Sequence, residues 1–246
     1  MRRLWMSVLL APVLALAVPA VAMAAPSVPA ERTAPATAQT TVQFGQHGLS
    51  VRQLQRRLAA LKYYPGPVNG LFGIDTQEAV WAFQETQGLP GADYVSSKME
   101  QALAHPRAPK VLDRAAGGNR VEVNIRDEVL VLYHNNAIEL ISHVSTGGHY
   151  YYDCGPYGCA FASTPTGNYR TVVFLPGWVT VPLGEMYNPV FFIGTSYAIH
   201  GEPTYGSGGG GVPLNPVSHG CVRIPFDIAG FFHTLVKTPG TRVYIY

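Results

Sequence analysis

The sequence is poor in charged residues, and this shortage excludes one class of partner. Charged side chains make up 13% of the 246 residues, about half the usual share. The net charge is +2 overall, zero over residues 43–106 and −2 over residues 118–246. Proteins that bind nucleic acid neutralise many phosphates with Lys and Arg, so we expect no nucleic-acid partner. A hydrophobic content of 47% excludes a chain that is disordered throughout.

Cysteine is also scarce, and its odd number implies at least one reduced thiol. Cys154 and Cys159 flank the turn-prone stretch Gly-Pro-Tyr-Gly and can form a disulfide if the chain is exported. Two reduced loop cysteines are the alternative. Pairing of those two leaves Cys221 as the odd thiol. A thiol outside any disulfide in an exported protein calls for a functional explanation.

The first 42 residues have the composition of a leader followed by a linker. Two arginines precede an apolar run over residues 4–21 that ends in Ala-Met-Ala, as in a secretory signal peptide. We predict a signal peptide at 1–24 and a disordered linker at 25–42. The apolar run also approaches the length of a membrane span, so an uncleaved anchor is the alternative. We therefore expect a secreted or cell-envelope protein that touches the membrane only through an uncleaved leader.

Residues 43–106 predict a small three-helix domain. Apolar residues recur at helical spacing from Val51 to Leu61. The predicted capping pairs are Ser50 with Gln53, Asp75 with Glu78, and Ser97 with Glu100. Pro and Gly residues mark 107–118 as an interdomain linker.

Several stretches of this domain form a distinctive series of motifs. They are V-R-Q-L-Q-R-R-L from Val51, Y-Y-P-G-P-V-N-G-L-F-G from Tyr63, T-Q-E-A-V-W-A-F-Q from Thr76 and G-L-P from Gly88. The series resembles the peptidoglycan-binding helical domain of cell-wall enzymes. The resemblance implies a cell-wall targeting role in which a groove between helices holds glycan or stem peptide; a structural spacer is the alternative.

The hydrophobic period changes from 3.6 to 2 after residue 118. Val121, Val123 and Ile125 alternate with polar residues, which predicts a half-buried strand. Further short strands follow, and only residues 226–236 have a helical pattern. The chain is therefore predicted to be a multidomain α and β protein. Its second domain, at 119–246, is a mainly β sandwich or distorted barrel.

Two short motifs in this domain carry nucleophilic chemistry. The first is His200-Gly201, and the second is Ser218-His219-Gly220-Cys221. A thiol that attacks a carbonyl needs a base within hydrogen-bond reach, and an imidazolium nearby lowers the thiol pKa. Both histidines qualify: on an extended chain His219 would share a face with Cys221, whereas His200 must arrive through folding. Gly220 leaves room for a carbonyl to approach the backbone N–H groups, which can stabilise an oxyanion.

These residues resemble the L,D-transpeptidase catalytic domain, whose pattern is a His, a spacer and then S/T-H-G-C. The resemblance extends to V-S-T-G-G from Val144 and T-P-T-G-N-Y from Thr164. It implies that Cys221 is the nucleophile, that His200 is the general acid and base, and that the Gly201 carbonyl orients His200. It also implies that the backbone from His219 to Cys221 forms the oxyanion hole and that carbapenems acylate Cys221.

The implied reaction releases D-Ala from a tetrapeptide stem and joins the resulting thioester to a neighbouring stem as a 3→3 cross-link. Trimming of stems by hydrolysis, as in an L,D-carboxypeptidase, is the first alternative. A non-enzymatic peptidoglycan-binding protein is the second, and a zinc hydrolase with His200, His219 and Cys221 as ligands is the third. Acyl transfer through a thioester needs no cofactor, and we expect a monomer.

The remaining residues of interest have weaker signals. Ser218 and Arg223 are predicted to bind substrate, although an ion pair of Arg223 with Asp227 is equally open. The glycine-rich stretch 206–211 is interpreted as a flap over the cleft. No function is expected of His143, His149 and His233.

Overall fold

The computed structural model describes residues 42–112, 117–156, 158–201 and 211–246. The predicted signal peptide at 1–24 lies outside these ranges, as does the predicted linker at 25–42 apart from its last residue. Residues 206–210 of the glycine-rich stretch also lie outside them. No helix within the described ranges is both long and apolar enough to cross a bilayer.

The N-terminal part of the described chain consists of three helices. They are α1 (Leu49–Ala60), α2 (Ile74–Gln87) and α3 (Ser97–Ala104). Their apolar faces meet in one cluster around Leu58, Phe72, Phe83 and Met99, each of which is fully buried. The three predicted helices are confirmed.

The predicted helix caps are wrong for α1 and α2. Gly48 and Gly73 are the N-cap residues, and neither helix has a side-chain cap. The Gly48 N–H donates to the Gly70 carbonyl and so holds the residue that precedes α1. The helix therefore begins before Ser50. In α3 the Ser96 hydroxyl accepts the Met99 N–H at 3.2 Å, one residue ahead of the predicted cap.

The C-terminal part consists of strands and a fourth helix. In chain order the elements are β1 (Arg120–Asn124), β2 (Val129–His134), β3 (Ala137–His143), β4 (Tyr151–Gly155), β5 (Gly158–Phe161), β6 (Gly167–Arg170), β7 (Val173–Phe174), β8 (Trp178–Val181), β9 (Gly184–Ile193), β10 (Tyr197–Gly201), β11 (Val222–Ile224), α4 (Phe226–Leu235) and β12 (Arg242–Ile245). β4 and β5 form a hairpin on their own.

Two sheets pack against each other around the main core. The first has the order β3-β2-β1-β12-β6, and the second has the order β11-β10-β9-β7 with β8 paired to β9. β1 with β12 and β10 with β11 are parallel pairs. Leu130 and Val243 of the first sheet meet Val190 and Ile199 of the second, and Phe232 of α4 closes the same cluster. The predicted helical domain joined to a mainly β sandwich is confirmed.

The helices cover the outer face of the first sheet. Val129, Val131, Tyr133 and Ile141 belong to the same apolar cluster as the helices. The Ile141 N–H also donates to the Lys62 carbonyl at 2.8 Å. The helical part is therefore docked on the β part through a shared core.

The alternating pattern predicted a half-buried β1, but the polar residues of this strand are buried as well. Arg120 and Glu122 are each 2% exposed. Arg120 Nε lies 2.6 Å from Glu122 Oε1, and its guanidinium carbon lies 3.9 Å from the centroid of the Tyr133 ring. A buried ion pair is tolerated where both charges are hydrogen-bonded, so polar residues on a strand need not face water.

Candidate active site

The two predicted catalytic motifs lie side by side on neighbouring strands. β10 runs parallel to β11, and His200 is paired with Arg223. Two residues earlier on β10, the Ala198 N–H lies 3.4 Å from Cys221 Sγ. Alternate residues of a strand share a face, so Ala198 and His200 lie on the same side of β10. Folding therefore brings His200 and Cys221, 21 residues apart in the sequence, to one cavity.

Cys221 and His200 both line a cavity of about 410 Å³. The loop before β11 supplies one wall through Ser218 and His219, and Arg223 lies deeper on β11. The turn between β8 and β9, residues 181–186, supplies a second wall. Tyr152 of the β4–β5 hairpin also lines the cavity. The cavity is large enough to enclose part of a peptide.

Cys221 is in a state suited to reaction. It is half-buried and belongs to no disulfide, whereas Cys154 and Cys159 are bridged to each other across the β4–β5 hairpin. The Ala198 N–H points at its sulfur. An N–H donor stabilises negative charge, so the backbone of β10 favours the thiolate as it forms.

His200 is buried and neutral. Its Nδ1 lies 2.9 Å from the Gly201 carbonyl oxygen, which can only accept, so Nδ1 carries the proton and Nε2 is bare. Burial lowers the pKa of His200 from 6.5 to about 4; the Gly201 carbonyl opposes this shift, and the positive charge of Arg223 adds to it. At neutral pH the His200 ring is therefore uncharged. It is not the nearby imidazolium that was expected to lower the pKa of the thiol.

The Gly201 carbonyl is held in place by close packing. A Cβ at Gly201 would lie 2.7 Å from the Ala229 Cβ of α4, nearer than real carbon atoms approach. Only glycine therefore lets β10 come this close to α4. The contact lies at the residue whose carbonyl accepts the hydrogen bond from His200.

Polar groups of the loop before Cys221 form hydrogen bonds with one another. The Ser218 hydroxyl donates to the Cys221 carbonyl at 2.6 Å and accepts the Gly220 N–H at 3.0 Å. The side chain predicted to bind substrate is thus engaged inside the loop. The Gly220 N–H, predicted as an oxyanion donor, is also occupied in this conformation.

Gly220 is required for a different reason than the sequence suggested. Its φ is +138°, a region that side chains rarely adopt. A Cβ there would lie 2.6 Å from the Tyr197 ring and 2.7 Å from the Ser163 carbonyl oxygen. Gly220 therefore shapes the turn that presents Cys221.

His219 lies at the mouth of the cavity. Its ring packs edge-on against Tyr152, with centroids 4.5 Å apart, and against Tyr150 at 5.7 Å. Partial burial and, to a smaller extent, Arg223 lower its pKa. β11 begins only at Val222, so the extended chain that would place His219 and Cys221 on one face is not present.

Arg223 is the buried cation of the site. It is 6% exposed, and its backbone N–H and carbonyl both pair with Ser145 at 3.0 Å. Its charge disfavours protonation of His200 and His219. It therefore helps to keep both rings neutral.

Sequence reasoning missed the second wall and the hairpin residue Tyr152. No pattern along the chain links them to Cys221, because they reach the cavity only through sheet pairing and hairpin packing. Within the described ranges, no group of three or more His, Cys, Asp or Glu side chains is arranged to hold a metal ion.

Comparisons with known proteins match both parts of the chain. Residues 47–93 match a family model described as a peptidoglycan binding domain. Residues 118–245 match the model of the L,D-transpeptidase catalytic domain. The comparison with curated proteins found no similar sequence.

Solved structures agree with these matches. The L,D-transpeptidase from Xylanimonas cellulosilytica (residues 123–326) is 30% identical, with a TM-score of 0.75 over 84% of this chain and 97% of that one. An L,D-transpeptidase from Stackebrandtia nassauensis is 18% identical, with a TM-score of 0.44 over 83% and 97% of the two chains. The L,D-transpeptidase from Mycobacterium smegmatis is 18% identical, with a TM-score of 0.39 over 52% and 58%. The first of these three structures supports the same catalytic family as the match of residues 118–245.

The two domains define a cell-wall acyltransferase that acts on peptidoglycan. A cavity containing a thiol and a buried imidazole is consistent with that class. The chain belongs to the L,D-transpeptidase family.

Proposed function

We propose that this protein is an exported enzyme that forms 3→3 cross-links between peptidoglycan stems, with Cys221 as the nucleophile and His200 as the general base and acid. The observation that most supports this is the cavity shared by Cys221 and a neutral, oriented His200. The resemblance of residues 118–245 to the L,D-transpeptidase domain supplies the substrate class.

In the first half-reaction, the sulfur of Cys221 attacks the carbonyl carbon that joins the third stem residue to the terminal D-Ala. His200 Nε2 accepts the thiol proton, and the ring becomes easier to protonate as negative charge develops beside it. The C–N bond then breaks, and the same proton passes to the departing D-Ala amine. A thioester with the tripeptide stem remains.

In the second half-reaction, a side-chain amine of a neighbouring stem attacks the thioester. His200, neutral again, takes the amine proton and returns it to the departing sulfur. The C–S bond breaks as the new amide forms, which yields the 3→3 link. Attack by water at the same step would give the trimmed stem of an L,D-carboxypeptidase.

The loop before Cys221 stabilises both tetrahedral intermediates. Backbone N–H groups of the turn from His219 to Cys221 bind the oxyanion, and that of Gly220 can serve only when Ser218 releases it. We assign Ser218 to holding this turn, His219 to contacting substrate at the mouth, and Arg223 to binding a stem carboxylate inside the cavity.

The same proposal covers location and assembly. The Cys154–Cys159 bridge is of a kind that persists in oxidising compartments, which supports export through the leader at 1–24. We propose domain boundaries at 43–106 and 119–246, a wall-binding role for the first domain, and a monomer.

Product analysis tests the reaction. The full chain is incubated with disaccharide-tetrapeptide stems, and the products are separated and fragmented by mass spectrometry. We expect D-Ala release and dimers linked 3→3, both absent with Cys221→Ala and retained in part with His219→Gln. Free tripeptide without dimers would replace the cross-linking proposal with hydrolysis. Activity that is lost to a chelator and insensitive to iodoacetamide would favour the zinc alternative.

A further inference from the structure

Helix α2 makes polar contacts with the chain segment that leads to Cys221. Glu78, on α2, is 3% exposed, and its Oε1 accepts the Val212 N–H at 2.6 Å. A Cβ at Gly211 would overlap the Glu78 carboxyl group, and one at Gly91 would lie 2.7 Å from a methyl of Leu214. The helical domain is therefore in close contact with residues 211–214.

His143 contacts the same segment from the end of β3. No function was expected of this residue, yet its side chain is fully buried and both ring nitrogens are engaged. Nδ1 lies 2.8 Å from Oε1 of Glu85, which is also on α2. Nε2 lies 3.0 Å from the Pro213 carbonyl, which can only accept, so Nε2 carries a proton. The ring thus bridges α2 and residue 213.

These contacts continue along the segment as far as the nucleophile. The Ser145 hydroxyl donates to the Asn215 carbonyl at 2.8 Å and accepts the Val217 N–H at 3.1 Å. The Ser218 N–H donates to the Thr146 carbonyl at 2.9 Å. Ser218 in turn holds the Cys221 carbonyl. The segment is therefore held at residues 212–213 by α2 and His143 and at residues 215–218 by Ser145 and Thr146, and it leads directly to Cys221.

We infer that Glu78 and His143 are positioning residues for catalysis: they hold the 211–218 segment so that the docked helical domain helps to place Cys221. This inference rests on the proposed role of Cys221. It goes beyond a targeting role for the helical domain, because a module that serves only for targeting need not touch the nucleophile segment.

The acceptor on Glu78 is the feature to test. Glu78→Ala leaves the buried Val212 N–H without its acceptor, whereas Glu78→Gln keeps an oxygen at the same place. Loss of a buried partner of this kind slows a step that depends on it by about tenfold. Gln84→Ala is the matched control: Gln84 is also buried on α2, but its contacts are with Ala92, Tyr94 and Met99 inside the helical domain.

The full chain and its variants are mixed with saturating carbapenem, and the rate of adduct formation on Cys221 is followed by intact mass alongside the melting temperature. We expect Glu78→Ala to lower the maximal rate about tenfold, with little change in half-saturating concentration. Glu78→Gln should restore most of the rate, and Gln84→Ala should leave it within about twofold at a similar loss of thermal stability. Gly211→Ala, which pushes the segment away from Glu78, should slow the reaction and provides a second variant if Glu78→Ala does not fold.

Two results would overturn the inference. One is a Glu78→Ala or Gly211→Ala protein that reacts at the wild-type rate. The other is a rate loss equal to that of Gln84→Ala at matched stability, which would mean that the contact is merely structural. Failure of the wild-type protein itself to form an adduct would remove the proposed function and the inference with it, so the two failures are distinguishable.

Discussion

Acidification should leave the acylation of Cys221 nearly unchanged until the pH approaches 4. Burial lowers the pKa of His200 from 6.5 to about 4, a difference that corresponds to about 3 kcal/mol against the protonated ring. At pH 5 about nine-tenths of the His200 rings remain neutral, compared with about 3% for an exposed histidine. The rate at pH 5 should therefore be close to that at pH 7.

The assay is single-turnover adduct formation with a carbapenem between pH 3.5 and 8, read by intact mass. His219→Gln is the control, because His219 lies at the same cavity with its pKa also lowered; the acid limb should be unchanged in this variant. An acid limb centred near pH 6.5, or one that disappears with His219→Gln, would refute the assignment of His200 as the base.

The same shift makes the folded protein sensitive to acid, and the two effects have to be separated. Because the folded-state pKa of His200 lies below its unfolded value, the stability that it contributes is fully present above pH 6.5. It is lost as the pH falls through about 4, by about 3 kcal/mol in total. Thermal unfolding at each pH shows which points of the rate profile come from folded protein.

Four further outcomes are expected. Gly220→Ala should slow acylation at least tenfold in the same adduct assay. The reason is that φ is +138° at this position and an added Cβ would meet the Tyr197 ring and the Ser163 carbonyl. A wild-type rate would contradict this. Replacing both Cys154 and Cys159 with Ser should cost about 2 kcal/mol at most in urea unfolding and leave Cys221 reactive. The KM for stems should rise, because residues of the hairpin line the cavity. Phe83→Ala, in the fully buried helical core, should cost about 3–5 kcal/mol in urea unfolding; a cost below 1 kcal/mol would be inconsistent with this core. Burial raises the pKa of Glu78 to about 8, so its contribution to stability is lost as the pH rises from about 4.5 through 8. The melting temperature of the wild-type protein should therefore fall over that range, and Glu78→Gln should make this fall smaller.

The sequence was a good guide to elements whose stability is local. The helical period from Val51 to Leu61 predicted α1, and the change to alternation after residue 118 predicted the sheets, because each period describes which face meets a core. The ends of helices were less predictable. Ser50 lies inside α1 because a backbone contact between Gly48 and Gly70 sets where the helix begins.

Burial of β1 was not predictable from its own residues. Alternation of apolar and polar residues reports one buried face, but here the polar face is covered as well, by the Leu112 N–H at Glu122 and by the Tyr133 ring at Arg120. Arg120 and Glu122 are buried because they neutralise each other. Burial of the polar residues of β1 depends on contacts from outside the strand, so no pattern within the strand predicts it.

Some residues of the candidate site were predictable from the sequence, and others were not. Cys221 and His200 were predictable because an odd thiol and a His-Gly motif are visible in the sequence itself. Tyr152, and the contact of Glu78 with the segment before Cys221, were not, since each depends on packing between distant segments; Glu78 and Val212 are 134 residues apart. Ser218 was visible, but its engagement within its own loop depends on the turn at Gly220.

Intact mass of the full chain mixed with a tetrapeptide stem, without an acceptor, tests the central claim most directly. We predict an adduct with the mass of the stem less D-Ala, located on the peptide that contains Cys221 and absent from Cys221→Ala. A wild-type protein that releases D-Ala without ever carrying this adduct, or an adduct that persists in Cys221→Ala, would contradict the claim that Cys221 is the acyl carrier.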